Sequence, residues 1–171
     1  SATLAVFAAA HLFKHAPSQS SARYENTSNA QQLIVLNDGT TVHLDVGGSF
    51  TAQIDANSRH IELLAGRAYF DVKHDATRPF AVDAGNVRTL DVGTRFQVAL
   101  APEAVSVTLA EGAVAVSQRA GEDAWKETLV PGEQLKFNAV TGRPEKQRVD
   151  AAVLTSWSRG RLVFKDTPLA E

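Results

Sequence analysis

Short apolar segments recur between Leu33 and Phe137, and most of them alternate apolar with polar positions. Alternation of this kind points successive side chains to opposite faces of a β-strand. Turn-forming residues separate the segments, as in Asn37-Asp38-Gly39-Thr40, where Asp-Gly is typical of a tight hairpin. The pattern predicts strands over Leu33–Leu36, Thr41–Val46, Phe50–Ile54, His60–Leu64, Ala68–Lys73, Phe80–Ala84, Val87–Val92, Arg95–Leu100, Ser106–Leu109, Ala113–Gln118, Lys126–Leu129 and Gln134–Phe137.

Sustained helical periodicity is nearly absent from residues 32–142, and turn signals return at the intervals typical of a sandwich, barrel or solenoid. We therefore expect an all-β domain over 32–142, in which many short antiparallel strands form a twisted sandwich or a short solenoid. Phe70, Phe80 and Phe96 are expected to point into its core.

The beginning of the chain has a different character. Residues 1–13 are almost wholly apolar, but a membrane-spanning helix needs about 20 apolar residues, so this run is too short to span alone. We expect the distal part of a transmembrane helix here, with a signal-peptide core and an ordinary buried helix as the two alternatives. Residues 14–31, rich in Ser, Asn, Gln and Ala, are expected to form a juxtamembrane linker.

A second change follows Gly142-Arg143-Pro144. Apolar residues at helical spacing, ending at Trp157, predict a short helix within Asp150–Ser158, and Arg161–Phe164 is predicted as a strand. Residues 143–171 are thus expected to be a linker followed by the start of an incomplete small α+β segment.

Composition excludes several kinds of function. The net charge is -2 and there is no cysteine, so we expect no nucleic-acid binding, disulfide, thiolate catalysis or cysteine-based zinc site. His43 and His60 are expected to point to solvent, and the histidines lack metal-ligand spacing, so no metal or cofactor is expected. Asp71, Asp83 and Glu111 are scattered near predicted strand ends and are expected to be solvated turn acids, not a catalytic pair.

Seven motifs follow one another in a fixed order along residues 24–171, and in that order they resemble the FecR family. The first is similar to the family's L-P-D-G-S-x-V-x-L hairpin, with Asn37 in place of the usual proline. The second has Arg67 where glutamate is common. The motifs are Leu36–Leu44, Arg59–Val72, Arg78–Val82, Val92–Val98, Val107–Val114, Leu129–Leu135 and Trp157–Leu169.

The resemblance implies a relay module and not an enzyme acting on a substrate. Members of the family that this chain resembles typically have a cytoplasmic anti-sigma region, one inner-membrane span and a periplasmic part. The periplasmic part receives a signal from the signalling domain of a TonB-dependent outer-membrane transporter that takes up iron as a siderophore. The signal controls an extracytoplasmic-function (ECF) sigma factor. By this resemblance residues 32–142 are the FecR-type domain in the periplasm, and 143–171 lead into a C-terminal signalling domain similar to the STN type.

Two groups of residues are candidates for function. Trp157, Leu162 and Phe164 are the predicted partner-docking element, with plain core packing as the alternative. Some family members resemble self-cleaving proteins that split at a Gly-Thr bond, which here corresponds to Gly93 and Thr94. The alternative is a glycine turn followed by a β-forming threonine. For the chain as a whole, the rival function is an envelope β domain that binds polysaccharide or another ligand.

Overall fold

The computed structural model describes residues 21–119 and 124–159. Within these ranges the chain forms thirteen strands, a short helix α1 (Ala151–Leu154) and a 3-10 turn (Ser156–Arg159). The strands are β1 (Ser21–Glu25), β2 (Gln32–Val35), β3 (Thr41–Leu44), β4 (Ser49–Ile54), β5 (Arg59–Asp71), β6 (Phe80–Ala84), β7 (Val87–Asp91), β8 (Arg95–Ala101), β9 (Ala104–Glu111), β10 (Val114–Gln118), β11 (Lys126–Leu129), β12 (Glu133–Asn138) and β13 (Arg143–Arg148).

The expected membrane segment over 1–13 and the expected strand Arg161–Phe164 lie outside the described residues. In the ranges that are described, no helix has the length and apolar character needed to cross a bilayer.

The strands form one sheet that doubles over along β5. The first half of β5 pairs with β4 and β6, and its second half pairs with β3 and β8. One layer therefore has the order β1-β4-β5-β6-β7-β10-β11, and the other has the order β2-β3-β5-β8-β9-β12-β13. The resulting curled half-barrel confirms the predicted all-β fold with a small helical segment at its C-terminal side.

β5 differs from the prediction, which has two strands separated at Gly66. It is one strand of 13 residues. A Cβ atom on Gly66 would lie 2.8 Å from Cα of Gly48, so this glycine marks a close backbone contact and not the end of a strand. β5 and β6 also pair in parallel, whereas only antiparallel pairing was predicted.

The core lies between the two layers and is built around phenylalanines. Phe70 of β5 contacts Phe96 of β8 with ring centroids 5.3 Å apart and Phe80 of β6 at 5.9 Å, so it bridges both layers. All three rings are fully buried, which confirms the predicted inward orientation. Together with Phe50, they are among the largest buried side chains of the described residues.

Strands β1 and β13 lie in segments where linkers were expected. Almost every residue of either strand is exposed, so their side chains show no apolar alternation. They are strands because their backbones pair with β4 and β12 respectively. Apolar periodicity cannot reveal a strand that is held by main-chain hydrogen bonds alone.

Candidate functional site

One buried carboxylate organises the turn between β7 and β8. Asp91 is 3% exposed. Its Oδ1 accepts the backbone N–H groups of Val92 at 2.5 Å and of Gly93 at 2.9 Å, while its Oδ2 accepts that of Thr94 at 3.1 Å. The candidate self-cleavage residues Gly93 and Thr94 therefore lie in one turn whose successive N–H groups all point at the same side chain.

The loop of residues 72–79 contacts this turn from the opposite side. Val72 N–H donates to the carbonyl oxygen of Thr94 at 3.0 Å, and Asp75 N–H donates to that of Val92 at 2.9 Å. Gly93 has φ +151° and lies against His74, whose Nδ1 would be 2.6 Å from a Cβ atom on residue 93. Position 93 therefore requires glycine for both its backbone conformation and its space.

Thr94 is 6% exposed, and its hydroxyl is buried without a hydrogen-bond partner among residues 21–119 and 124–159. Its methyl group packs against Gly112, where a Cβ atom would lie 2.3 Å from Thr94 Cγ2. A buried hydroxyl without a partner costs about 1–3 kcal/mol, so it calls for a physical explanation. Thr94 directly follows Gly93 in the sequence, so its hydroxyl belongs to the residue on the C-terminal side of the Gly93–Thr94 peptide bond.

Arg59, at the start of β5, holds the 72–79 loop in place. Its guanidinium donates to the carbonyl oxygens of Arg78 at 2.6 Å, Lys73 at 2.7 Å and Asp75 at 3.2 Å. It also pairs with the Asp38 carboxylate at 3.3 Å, and both side chains are almost completely buried. The hairpin turn between β2 and β3 is thereby connected through Arg59 to the loop that contacts Gly93.

Trp157 packs on the outer face of the layer that contains β8. Its indole N–H donates to Gln97 Oε1 at 2.6 Å, and the guanidinium of Arg67 lies 4.3 Å from its ring centroid. Arg67 is held in turn by Asp45, whose Oδ2 accepts its Nε–H at 2.9 Å. The structure thus gives Trp157 contacts within its own chain; Leu162 and Phe164 lie outside the described residues.

Strand β2 is an open edge of its layer within the described residues, since it pairs with β3 alone. Leu36 N–H donates to Thr40 O at 2.9 Å across the hairpin. Backbone groups of alternate residues face the same side of a strand, so those of Leu33 and Val35 point away from β3. Their side chains are 60% and 67% exposed.

The other strands that end the two layers differ from β2 in composition. β1 contains Arg23 and Glu25, β11 contains Lys126 and Glu127, and β13 contains a proline among charged residues. Charges and proline on an edge strand oppose the addition of another strand. β2 has the sequence QLIV, which contains neither.

Asp83 lies near the end of β6, as expected, but it is fully buried and is not solvated. Its carboxylate accepts hydrogen bonds from Arg88 at 2.7 Å, lies 2.9 Å from His60 Nε2 and is 3.4 Å from Arg119. Burial acts to raise the pKa of Asp83, but the bonds from Arg88 and His60 outweigh it and hold the pKa below its ordinary value.

His60 is therefore bound to a carboxylate and is not simply exposed to solvent. His43 is half-buried and lies edge-on to Tyr69, with ring centroids 5.9 Å apart. Burial lowers the pKa of His43, although the nearby Asp71 partly opposes this. Neither histidine has the fully solvated environment that strand alternation predicts.

The described residues form two open clefts of several hundred Å³. One of about 470 Å³ is lined by residues 64–66 and 100–102, and another of about 370 Å³ lies between Pro79, Leu90 and Thr128. Neither is lined by an aromatic side chain. In the described ranges, no three His, Cys, Asp or Glu side chains converge as metal ligands would.

The sequence matches the FecR protein family over residues 22–115, which is more than half of the chain. The chain belongs to the FecR family. The match includes β1 to β9, the Asp91 turn and the β2 edge. The family assignment confirms the resemblance carried by the ordered motifs.

Two crystal structures of a candidate anti-sigma factor from Parabacteroides distasonis ATCC 8503 are similar to this FecR-family chain. The first has 28% sequence identity and a TM-score of 0.74, and the alignment covers 88% of this chain and 70% of that one. The second has 28% identity and a TM-score of 0.73, covering 86% and 69% respectively. No curated protein matched the sequence. Family and structural neighbour together support a role in regulation.

Sequence reasoning missed three features of these surfaces. It did not assign a role to Asp91, although Asp-Val-Gly-Thr is a local signal for a carboxylate that caps a turn. It located the β2 strand without recognising it as an unprotected edge, which depends on the strand order. It also gave no role to Arg59, whose partners are brought together only by the fold.

Proposed function

We propose that this chain is the periplasmic relay module of a transmembrane anti-sigma regulator. The module receives a signal from the signalling domain of a TonB-dependent outer-membrane transporter engaged in siderophore uptake. It passes the signal to an ECF sigma factor through a cytoplasmic region that is not part of this sequence. The apolar residues 1–13 anchor it in the inner membrane. The FecR-family match over residues 22–115 carries the proposal.

The surface chemistry of the described residues supports contact with a protein more than binding of a small molecule. The edge of β2 offers the free N–H and C=O groups of Leu33 and Val35 together with their exposed side chains. A neutral apolar edge of this kind accepts an extended strand with apolar side chains at alternate positions. We propose that the transporter's signalling domain adds such a strand here, while Trp157, Leu162 and Phe164 form a second part of the contact.

The relay proposal is tested by the affinity of the full chain for the purified signalling domain of a TonB-dependent transporter from the same organism, measured by calorimetry. Val35→Lys places a charge on the proposed edge and is expected to weaken binding by about tenfold or more. Val140→Lys is the matched control, since Val140 is 73% exposed in the turn after β12 and away from this edge. Absence of binding by the unmodified chain would contradict the relay, whereas equal affinities of the two variants would contradict only the β2 contact.

The rival function, polysaccharide binding, predicts exposed aromatic rings along a groove. The two larger clefts described above contain none. The same calorimetric measurement distinguishes the two functions when envelope polysaccharide replaces the signalling domain. If the chain is a relay module, we expect no heat of binding with polysaccharide. A saturable heat with polysaccharide would favour the rival.

A second function, self-cleavage between Gly93 and Thr94, is supported by a different observation. The hydroxyl of Thr94 is buried and has no hydrogen-bond partner among the described residues, and the residue before it is a glycine. We propose that this hydroxyl attacks the Gly93 carbonyl carbon, forming an ester that water then hydrolyses. Purified chain should then appear as two fragments, residues 1–93 and 94–171. Thr94→Ala should remain intact, and fragments at the same position in that variant would rule out the hydroxyl.

A further inference from the structure

The two carboxylate oxygens of Asp91 have different hydrogen-bond partners. Oδ1 accepts the N–H groups of Val92 and Gly93 and so caps the first part of the turn. Oδ2 has Thr94 N–H as its partner, at 3.1 Å. This oxygen therefore lies against the nitrogen of the Gly93–Thr94 peptide bond, in a side chain that is 3% exposed.

We propose that Asp91 is a catalytic residue for scission of the Gly93–Thr94 bond, acting on the departing nitrogen. This inference rests on the proposed self-cleavage. Thr94 Oγ1 forms a bond to the Gly93 carbonyl carbon, the carbon–nitrogen bond breaks, and the hydroxyl proton passes to the nitrogen. The product is an ester between Gly93 and Thr94 Oγ1 with a free α-amine on Thr94. Water then adds to the ester carbonyl, releasing a carboxylic acid at Gly93 and restoring the Thr94 hydroxyl.

The first of these steps is the one that Asp91 assists. The nitrogen takes up the hydroxyl proton while it is still bonded to the Gly93 carbon, so it carries a positive charge until that bond breaks and it leaves as a neutral amine. Oδ2 of Asp91 already contacts that atom, and a charge-assisted bond between a carboxylate and an ammonium is about twice as strong as a neutral one. Because Asp91 is shielded from water and fixed by two other hydrogen bonds, little reorganisation is needed as the charge forms.

Two substitutions separate charge from shape. Asp91→Asn keeps the size of the side chain and one acceptor for the N–H groups of Val92 and Gly93, but it removes the negative charge and the acceptor of the Thr94 N–H. Asp91→Glu keeps the charge and changes the reach. If Asp91 only caps the turn, Asp91→Asn should retain more of the cleavage rate than Asp91→Glu. If Asp91 stabilises the departing nitrogen, Asp91→Glu should retain more of it.

The experiment follows the full chain after cell-free synthesis with a radiolabel and measures the rate at which intact chain converts to fragments. We expect Asp91→Asn to slow cleavage by about 100-fold or more, since the loss of one preorganised electrostatic contact typically costs about 100- to 1,000-fold. Asp91→Glu should cleave faster than Asp91→Asn. Hydroxylamine, which cleaves the ester, should not restore the rate of Asp91→Asn, because the step before the ester is the slow one. Thermal melting of each variant shows that the fold is retained.

The outcomes distinguish the two proposals. Unmodified chain that stays intact overturns self-cleavage and the role of Asp91 together. Cleavage of the unmodified chain, loss of cleavage in Thr94→Ala and an unchanged rate in folded Asp91→Asn would overturn the role of Asp91 alone. A cleavage rate for Asp91→Asn equal to or above that of Asp91→Glu would also overturn the role of Asp91 alone.

Discussion

The indole N–H of Trp157 donates to Oε1 of Gln97 at 2.6 Å, joining the C-terminal helical segment to β8. Arg67 of β5 lies over the same ring at 4.3 Å from its centroid. The segment that leads out of the β domain is therefore fastened to the sheet by two directional contacts. If the domain acts as the proposed relay, a displacement of residues 151–159 reaches β5 and β8 through these two contacts.

Trp157→Phe is expected to lower the free energy of unfolding by about 1–2 kcal/mol, since it removes the hydrogen bond to Gln97 and weakens the contact with Arg67. Amide exchange over residues 151–159 should accelerate more than exchange in the core strands. Trp125→Phe is the matched control. Its indole N–H has no hydrogen-bond partner in the described part of the chain, so the same substitution there removes no bond. If Trp157→Phe and Trp125→Phe lowered the free energy of unfolding in urea equally, the bond from Trp157 to Gln97 would not be the cause of the loss.

Arg59→Lys is expected to cost about 3 kcal/mol in urea unfolding. Lysine retains the charge beside Asp38 but has no planar fork to reach the carbonyl oxygens of Lys73 and Arg78 together, which leaves buried acceptors unsatisfied. Arg23→Lys is the control, because Arg23 pairs with Glu25 at 3.8 Å on the surface and should change stability by less than about 0.5 kcal/mol. A small effect at Arg59 would show that the 72–79 loop is held by other contacts.

The carboxylate of Asp83 forms a cluster with His60, Arg88 and Arg119, called here the Asp83 cluster. We expect this cluster to lose its stabilising effect in acid. The pKa of this buried carboxyl is lowered in the folded chain, so the stability it contributes is present above its unfolded value of about 4 and is lost as pH falls through the lower folded value. Asp83→Asn should cost about 3 kcal/mol at pH 7, where Arg88 loses its partner. The difference between the variant and the unmodified chain should shrink below pH 4.

Urea unfolding at several pH values between 3 and 7 measures this convergence. Glu103→Gln, an exposed turn position, serves as the control and should leave the pH profile unchanged. If the gap between Asp83→Asn and the unmodified chain stayed constant down to pH 3, the carboxyl would not be the source of the acid sensitivity.

Apolar alternation predicted the strands of the core because burial on one face imposes it. The predicted bounds of β6 and β11 match the structure, and those of β3, β7 and β10 differ from it only at an end. β1 and β13 were out of reach because their side chains are exposed and only their backbones are paired.

The candidate site also has one part that the sequence predicts and another part that depends on the fold. The Asp91 turn is a local arrangement of four neighbouring residues, and its position was predicted from Gly93 and Thr94. The surroundings of Thr94 include Gly112 and the 72–79 loop, which only the sheet brings near. The Asp83 cluster is similar, since Arg119 lies far along the chain from β6.

Gly112 and Thr94 provide a test of this non-local packing. Gly112→Ala would place Cβ 2.3 Å from Thr94 Cγ2 in a backbone with φ +91°, so strain and a steric clash add together. Gly142→Ala is the matched control, because φ is +66° there and nothing lies within 4 Å of the new Cβ atom. We expect a loss of about 1–2 kcal/mol at position 142 from backbone strain alone, and at least about 2 kcal/mol more at position 112.

The clash can be assigned to Thr94 by a double substitution. Thr94→Ser removes Cγ2, the atom nearest the new methyl group, so the pair Gly112→Ala with Thr94→Ser should recover part of the stability lost by Gly112→Ala alone. The interaction energy from the four urea unfolding curves is expected to be about 1 kcal/mol or more, since the two side chains would be in direct contact. Additive losses would mean that Gly112 is required for its φ value and not for the packing of Thr94.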